Sequence, residues 1–178
     1  MARHDVAGAL LVGGASSRFG STKALARFGG EMLAERAYRT LSEAFDDVIA
    51  VGKAADRLPL PFPVLDDESD ERAAIFGLAA ALRLAGSEVV VAIPTDMPYL
   101  TADFLLLLAS AVAGVDVAHP ESGPLPGAYR RTAVPVLERR IEAGELALWG
   151  ALADLRTRVV EADAALLRNV NTPDDLVV

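Results

Sequence analysis

The stretch LVGGASSRFGSTKAL, residues 11–25, passes directly from an apolar run into a loop of glycines, serines and two cations. The apolar run begins upstream, and Val6–Val12 contains neither a polar residue nor an alternation of polar and apolar ones. A continuous run of this kind is typical of a strand that is covered on both faces, as in a parallel sheet. The sequence therefore predicts a buried strand with a glycine-rich loop at its carboxyl end.

The glycine-rich loop has two interpretations. Gly13, Gly14 and Gly20 allow a ligand to approach the main chain closely, so that backbone N–H groups can converge on phosphate oxygens. Arg18 and Lys23 lie where they can add side-chain charge to such a site. The alternative is a tight turn with solvated cations. The spacing matches neither GxxxxGK[ST] nor GxGxxG, so the loop indicates neither a P-loop kinase nor an NAD enzyme.

Strands and helices are predicted to alternate along the rest of the chain. Further strands are predicted at 46–52, 63–65, 87–94, 114–119 and 157–162, the last as an edge strand. Apolar periodicity predicts helices at 31–45, 72–85, 101–113, 132–143 and 145–155, with Thr101 as an N-cap and Gly86 as a C-cap. This alternation predicts a single domain, residues 1–178, with a Rossmann-like three-layer α/β/α architecture and a mainly parallel sheet.

Two polar segments follow strands that this architecture places side by side. If the winding reverses at the strand 87–94, that strand is the neighbour of the first one, and ligands bind beyond the carboxyl ends of such a pair. The glycine-rich loop and PTDMPYL, residues 94–100, then share one edge of the sheet. Asp96 at this edge could hold Mg²⁺ against a triphosphate. The alternative is an ordinary turn aspartate before a helix.

The composition argues against several classes of function. The 17 basic and 25 acidic residues give a net charge of −8, which argues against binding to nucleic acid or to an anionic membrane surface. Cysteine is absent, which excludes disulfides, thiolate zinc sites and a cysteine nucleophile and fits a reducing compartment. No apolar stretch reaches the ~20 residues of a membrane span. We therefore expect a soluble, cytoplasmic protein.

A few single residues also give expectations. His4 and His119 are expected at the surface, although His119 could lie near a bound substrate. Trp149 lies among leucines at helical spacing and is expected in the core. Arg130 and Arg131 are consistent with contact to a substrate phosphate or with a solvated strand end.

Four segments, in order along almost the whole chain, resemble one family. LVGGASSRFGSTKAL resembles the LAGGxSxRMGxxKAL signature of molybdenum cofactor guanylyltransferases, the MobA family. TDMPYL resembles that family's CDMPFL-type segment, GPLPGAYRR a segment that often reads PLFGLYR, and RNVNTPDDL the NINTPEDL-type ending. The resemblance implies a nucleotide-diphospho-sugar transferase-like fold. It also implies Mg²⁺-dependent transfer of GMP from GTP to the phosphate of molybdopterin, with release of pyrophosphate.

The resemblance assigns roles to individual residues. Nucleotide binding is implied for Leu11, Val12, Gly13, Gly14, Lys23, Gly52, Asp67 and Asp96, with Asp66 as the alternative to Asp67. Catalytic roles are implied for Lys23, Arg18 and Asp96, and Asp96 is also the implied magnesium ligand. Asn169 and Asn171 are expected near the acceptor substrate.

Two departures from the family pattern leave the base and the acceptor open. AAIFG, residues 73–77, replaces the family's GPLAG and keeps only Gly77, and Gly52 stands where the family has an asparagine. Alternatives are therefore a related nucleotidyltransferase that uses CTP or another phosphorylated acceptor, and a catalytically impaired nucleotide-binding homologue. The expected partners are GTP and molybdopterin, with transient contact to other cofactor-biosynthesis proteins, and neither nucleic acid nor membrane.

Overall fold

A mainly parallel sheet forms the middle layer of the structure, a computed structural model that describes residues 5–13 and 23–176. The strands are β1 Val6–Val12, β2 Arg27–Phe28, β3 Glu31–Met32, β4 Asp47–Gly52, β5 Val64–Asp66, β6 Val89–Pro94, β7 Val117–Pro120, β8 Gly127–Arg130 and β9 Thr157–Val160. The large sheet has the order β5-β4-β1-β6-β8-β7-β9, and β2 pairs with β3 in a separate hairpin. Within this described part of the chain, β8 is the one strand of the large sheet that runs antiparallel to its neighbours.

Helices cover both faces of the sheet, so the predicted three-layer α/β/α architecture is confirmed. They are α1 Leu33–Ala44, α2 Ala74–Leu84, α3 Ala102–Ala111, α4 Val134–Glu142 and α5 Leu148–Leu152. Leu10 and Val12 of β1 belong to the core cluster with α1 and α3, whereas Ala9 and Leu11 belong to the cluster with α2, α4 and α5. Because successive strand residues enter opposite cores, β1 needs an unbroken apolar sequence.

The winding reverses between β1 and β6, as the sequence predicts. β1 pairs in parallel with β4 on one side and with β6 on the other. Val12 lies opposite Gly52 of β4, and Leu11 lies opposite Pro94 of β6. The segments that follow these three strands therefore emerge together at one edge of the sheet, where ligands bind in open α/β folds.

The segment 120–131 contains a strand, β8, that the sequence analysis did not predict. Its three prolines and two glycines are typical of a loop, yet β8 pairs with both β6 and β7. Tyr129 is only 1% exposed, and its hydroxyl donates a hydrogen bond to the Pro124 carbonyl at 2.6 Å. The pairing with two central strands and this buried ring hold the segment extended.

The antiparallel direction of β8 argues against contact of Arg130 and Arg131 with a substrate phosphate. Arg130 lies opposite Val89 at the amino end of β6, which is the edge away from Asp96. The Arg131 guanidinium donates to the carbonyls of Ala85 and Ser87 at 2.8 and 3.1 Å. Arg131 therefore secures the end of α2, and neither arginine reaches the edge where the glycine-rich loop begins.

Several element ends differ from those predicted. Glu31 and Met32 belong to β3, so α1 is shorter at its start than the predicted 31–45. The C-cap of α2 is Ala85 rather than Gly86, and the Arg131 guanidinium donates to the carbonyl of this capping residue. Helix α5 covers only the middle of the predicted 145–155. The Thr101 N-cap is confirmed, since its hydroxyl accepts from the Phe104 N–H at 3.4 Å.

Two expectations about single residues are wrong. Trp149 is 57% exposed, because α5 is short and turns the indole away from the core. His119 is buried in β7, where its Nδ1 lies 2.8 Å from the Pro120 carbonyl oxygen. His4 lies outside the described residues. None of the helices in the described ranges has both the length and the apolar character that crossing a membrane requires.

Candidate functional site

A cleft opens where β1, β4 and β6 end, beside the first turn of α2. Its lining includes six residues that the sequence analysis singled out, namely Leu11, Val12, Gly13, Gly52, Asp67 and Gly77. Gly13 is exposed and has a φ of 150°, a backbone conformation that favours glycine. The topology thus gathers one group of the predicted nucleotide-binding residues around a single cleft.

Asp67, in the loop after β5, is the acidic residue that lines this cleft. It is buried, and its Oδ1 accepts hydrogen bonds from the Lys53 ammonium at 2.8 Å and from the Ser69 N–H at 3.1 Å. Asp66 is exposed, and its carboxylate accepts from the Glu68 N–H at 3.1 Å. Of the two adjacent aspartates left open by the sequence, Asp67 is therefore the one at the cleft.

Lys53 and Arg72 also line the cleft, and the sequence analysis missed both. The Lys53 side chain is 11% exposed, and its Nζ lies 5.5 Å from the centroid of the Phe76 ring. Arg72 donates to both carboxylate oxygens of Asp56, at 3.0 and 2.6 Å, and these bonds hold the pKa of Asp56 below its ordinary value. Neither cation belongs to a motif. The one available signal was that Lys53 directly follows a predicted strand.

A second polar group forms around Lys23, at the start of the short 3-10 turn Lys23–Leu25. The Lys23 Nζ lies 2.9 Å from Asp96 Oδ2 and 3.2 Å from Asn171 Oδ1. The partners are 73 and 148 positions away in the sequence. The fold therefore brings together, at the β1–β6 edge, one residue from each of three of the four segments that carry the resemblance.

The turn that carries Asn171 is held by hydrogen bonds to the carboxylate of Asp175. The Val170 N–H donates to the Asp96 carbonyl at 2.8 Å, which ties the turn to the segment after β6. Asp175 Oδ2 accepts from the N–H groups of Asn171 and Thr172, both at 2.9 Å, and from the Thr172 hydroxyl at 3.0 Å. These hydrogen bonds lower the pKa of Asp175, those from the two N–H groups most. The spacing NTPDD thus places the Asn171 amide beside Asp96.

Other predicted site residues are not gathered here. Asn169 is exposed, and among the residues that the structure describes no hydrogen bond joins its side chain to Lys23, Asp96 or Asn171. Gly14, Arg18 and Gly20 lie outside the described residues.

The donor atoms around Lys23 have the chemistry that Mg²⁺ requires. A carboxylate oxygen and an amide oxygen both lie within 3.2 Å of one positive charge. Hard oxygen ligands are those that Mg²⁺ prefers, usually with one or two carboxylates and the rest of the shell from phosphates and water. Within residues 5–13 and 23–176, no group of three His, Cys, Asp or Glu side chains could hold a metal by itself. The donor set therefore fits a magnesium ion that arrives with a phosphate ligand.

Comparison with protein-family models shows to which family the chain belongs. The family model of the MobA-like NTP transferase domain matches residues 8–159. The chain belongs to this family. It is a nucleotidyltransferase, and the predicted reaction class is confirmed.

Individual relatives agree with this membership. A probable molybdenum cofactor guanylyltransferase of Aquifex aeolicus is 35% identical over 173 residues, which cover 94% of this chain and 86% of that protein. Molybdopterin-guanine dinucleotide biosynthesis protein A of Archaeoglobus fulgidus has a similar structure, with a TM-score of 0.82, 27% identity and coverage of 96% and 94% of the two chains. A cytidylyltransferase of Thermus thermophilus shares the fold at a TM-score of 0.73 and 14% identity, with 96% and 95% covered.

Proposed function

We propose that this chain transfers GMP from GTP to the phosphate of molybdopterin and releases pyrophosphate, a step in the biosynthesis of molybdopterin guanine dinucleotide. The observation that carries the proposal is the contact of Lys23 with both Asp96 and Asn171 beside the cleft. A cation and two oxygen donors suit a polyphosphate and its metal. The names of the relatives from Aquifex aeolicus and Archaeoglobus fulgidus support GTP and molybdopterin as the substrates.

The reaction needs no nucleophile from the protein. A phosphate oxygen of the acceptor forms a bond to the α-phosphorus of GTP, while the bond from that phosphorus to the bridging oxygen breaks and pyrophosphate leaves with the electron pair. Catalysis then consists of positioning and charge stabilisation. In this proposal Lys23 and Arg18 balance the negative charge on the leaving pyrophosphate, and Asn171, with Asn169, orients the acceptor.

The cleft is the proposed nucleoside site. Leu11, Val12 and Gly13 would lie along the guanine nucleotide with Gly14, and Gly52 and Asp67 would also contact it. Asp96 would hold Mg²⁺, with the Asn171 amide oxygen nearby. When bound, the metal would neutralise phosphate charge and align the phosphoryl groups.

The setting of the reaction is part of the proposal. We place it in the cytoplasm, in one domain over residues 1–178, with transient contact to other proteins of cofactor biosynthesis. The net charge of −8 supports a role without nucleic acid or membrane partners.

CTP as the substrate is the second candidate. Gly52 offers the base no side chain, and Ala73 and Ala74 line the cleft where the family sequence has glycine and proline. A different base preference, another phosphorylated acceptor and impaired catalysis are the alternatives that these replacements leave open.

Isothermal titration with GTP, CTP and ATP, each with Mg²⁺, tests the proposal. We expect GTP to bind most tightly, Lys23→Ala to weaken the binding, and Asp96→Ala to make it insensitive to Mg²⁺. A preference for CTP would leave nucleotidyl transfer in place and change the product. Absence of binding by all three nucleotides would contradict the proposed function.

A further inference from the structure

The wall of the cleft contains a buried ion pair, Lys53 and Asp67, of which only Asp67 has a role in the proposed function. Lys53 follows β4 directly, and Asp67 follows β5 directly, so two neighbouring parallel strands deliver the two charges to the same edge. The side chains are 11% and 6% exposed, and the Lys53 Nζ lies 2.8 Å from Asp67 Oδ1. Both residues line the cleft. Burial of two charges has a large desolvation cost, and additional hydrogen bonds to the two groups help to offset it.

The hydrogen bonds of this pair converge on one carboxylate oxygen. Asp67 Oδ1 accepts from Lys53 and from the Ser69 N–H, and Lys53 also donates to the Ser69 carbonyl. The Asp67 N–H donates to the Gly52 carbonyl at 2.9 Å, so the backbone and the side chain are both held. Among the described residues, no hydrogen bond reaches Asp67 Oδ2. That oxygen is left as the acceptor for a ligand.

We infer that Lys53 is a positioning residue of the cleft, which holds the Asp67 carboxylate and the loop 67–69 in the geometry that binds the nucleotide. The inference rests on the proposed function for the identity of the ligand. Lys53 acts through Asp67: its ammonium compensates the buried negative charge and fixes Oδ1, and Oδ2 then accepts from the nucleoside. Because a carboxylate without a counter-charge is costly to bury, loss of Lys53 displaces Asp67 from the cleft wall.

The test compares Lys53→Met with Arg83→Met in the full chain. Methionine keeps the length and apolar stem of lysine and removes the charge. Arg83 is the matched control, because its guanidinium contacts Glu68 of the same loop at 3.9 Å and does not line the cleft. The measurements are the Kd for GTP with Mg²⁺ by titration, the steady-state KM and kcat, and the thermal unfolding midpoint.

We expect Lys53→Met to raise the Kd and KM for GTP by about 10- to 100-fold, the cost of a displaced positioning group, with kcat changed less than threefold. A KM effect without a kcat effect is typical of binding that is equal in the ground and transition states. Arg83→Met is expected to change both constants less than twofold. Equal effects of the two variants would overturn the inference, because a general loosening of the loop would then explain both.

A double-mutant cycle separates positioning from direct contact with the ligand. If Lys53 acts through Asp67, the double variant Lys53→Met/Asp67→Asn binds GTP no more weakly than Asp67→Asn alone. Additive losses would overturn the positioning role. Lys53→Arg, which keeps the charge, is expected to recover most of the affinity and serves if the methionine variant does not fold. If the wild-type protein binds GTP and Lys53→Met binds it with the same affinity, this inference alone is contradicted. If the wild-type protein binds no nucleotide, the proposed function is contradicted.

Discussion

Gly52 and Gly77 line the same cleft, yet their surroundings differ sharply. A Cβ on Gly52 would lie 2.0 Å from the Val12 carbonyl oxygen and 3.1 Å from its carbonyl carbon, so β1 or β4 would have to move. A Cβ on Gly77 would meet Leu11 Cδ2 at 3.5 Å, an ordinary contact. The glycine at position 52 is therefore required by the close approach of two strands, whereas the one at 77 leaves room in the cleft.

Alanine at these two positions should have opposite effects. We expect Gly52→Ala to lower the free energy of unfolding by about 1–3 kcal/mol, the usual cost of overpacking. Gly77→Ala lies inside α2 and should gain up to about 1 kcal/mol in helix propensity, but its methyl group should weaken GTP binding by narrowing the cleft. Urea unfolding and nucleotide titration of both variants measure these effects. Equal loss of stability in the two variants would contradict the explanation.

At the same scale, residues in motifs were predictable and residues outside them were not. Lys23, Asp96 and Asn171 each lie in a recognisable segment, and the fold brings the Lys23 Nζ within 3.2 Å of a side-chain oxygen of each of the other two. Lys53 and Arg72 lie in no motif, and their place in the cleft depends on which strands are neighbours. A sequence gives the types and the order of the residues. That Lys53 pairs with Asp67, 14 positions away, follows only from the order of the strands in the sheet.

At the scale of elements, the turn after Val170 gives a test of whether Asp175 positions Asn171. Asp175 binds two N–H groups and one hydroxyl with a single oxygen, and the turn it closes carries Asn171. We expect Asp175→Ala to lower kcat by about 10- to 100-fold, because Asn171 loses its fixed position beside Asp96. The unfolding midpoint should change little, since the turn is at the surface.

The neighbouring aspartate provides the control for this turn. Asp174 is exposed in the same short 3-10 helix, Pro173–Leu176. Asp174→Ala should leave kcat within twofold of the wild-type value in the same pyrophosphate-release assay. If both alanine variants reduce kcat to the same extent, the hydrogen bonds of Asp175 do not position Asn171.

Predictions for the elements succeeded for the long apolar runs and failed for some of the short elements. β1 and β6 are continuous apolar runs, β4 is apolar after Asp47, and their pairing follows from the rule for parallel sheets. β8 is four residues long and follows prolines, so its strand character arises from pairing on both edges and from the burial of Tyr129. α5 likewise ends early, which leaves Trp149 exposed.

At the scale of the whole molecule, Asp116 links three parts of the chain near the start of β7. Its carboxylate accepts from the Arg156 side chain at 2.9 Å, from the Arg156 N–H at 3.1 Å and from the Thr132 hydroxyl at 2.8 Å. Hydrogen bonds from the Arg156 side chain are the main reason that the pKa of Asp116 lies well below its ordinary value of 3.8. Burial has the opposite effect and raises this pKa. A carboxylate with a lower pKa in the folded state stabilises the fold above its ordinary pKa and loses that contribution as the pH falls.

The sign of this effect gives a prediction about acid stability. The wild-type protein should lose stability as the pH falls from about 5 towards 2, and Asp116→Asn should reduce that dependence while lowering stability at pH 7 by about 1–3 kcal/mol, the cost of unpairing a buried group. Urea unfolding at pH 7 and pH 3 measures both quantities. Asp70→Asn, at an exposed position, is the matched control. Identical pH dependence in the wild type and Asp116→Asn would contradict the assignment.

Product formation from GTP and molybdopterin is the measurement that bears most directly on guanylyl transfer at the β1–β6 edge. We expect pyrophosphate release that requires both substrates and Mg²⁺, with one GMP joined to the acceptor for each pyrophosphate released. Asp96→Asn should lower the rate by about 10²- to 10³-fold, as loss of a preorganised charge contact does. Pyrophosphate release with CTP but not GTP, or no release with either nucleotide, would contradict the proposal.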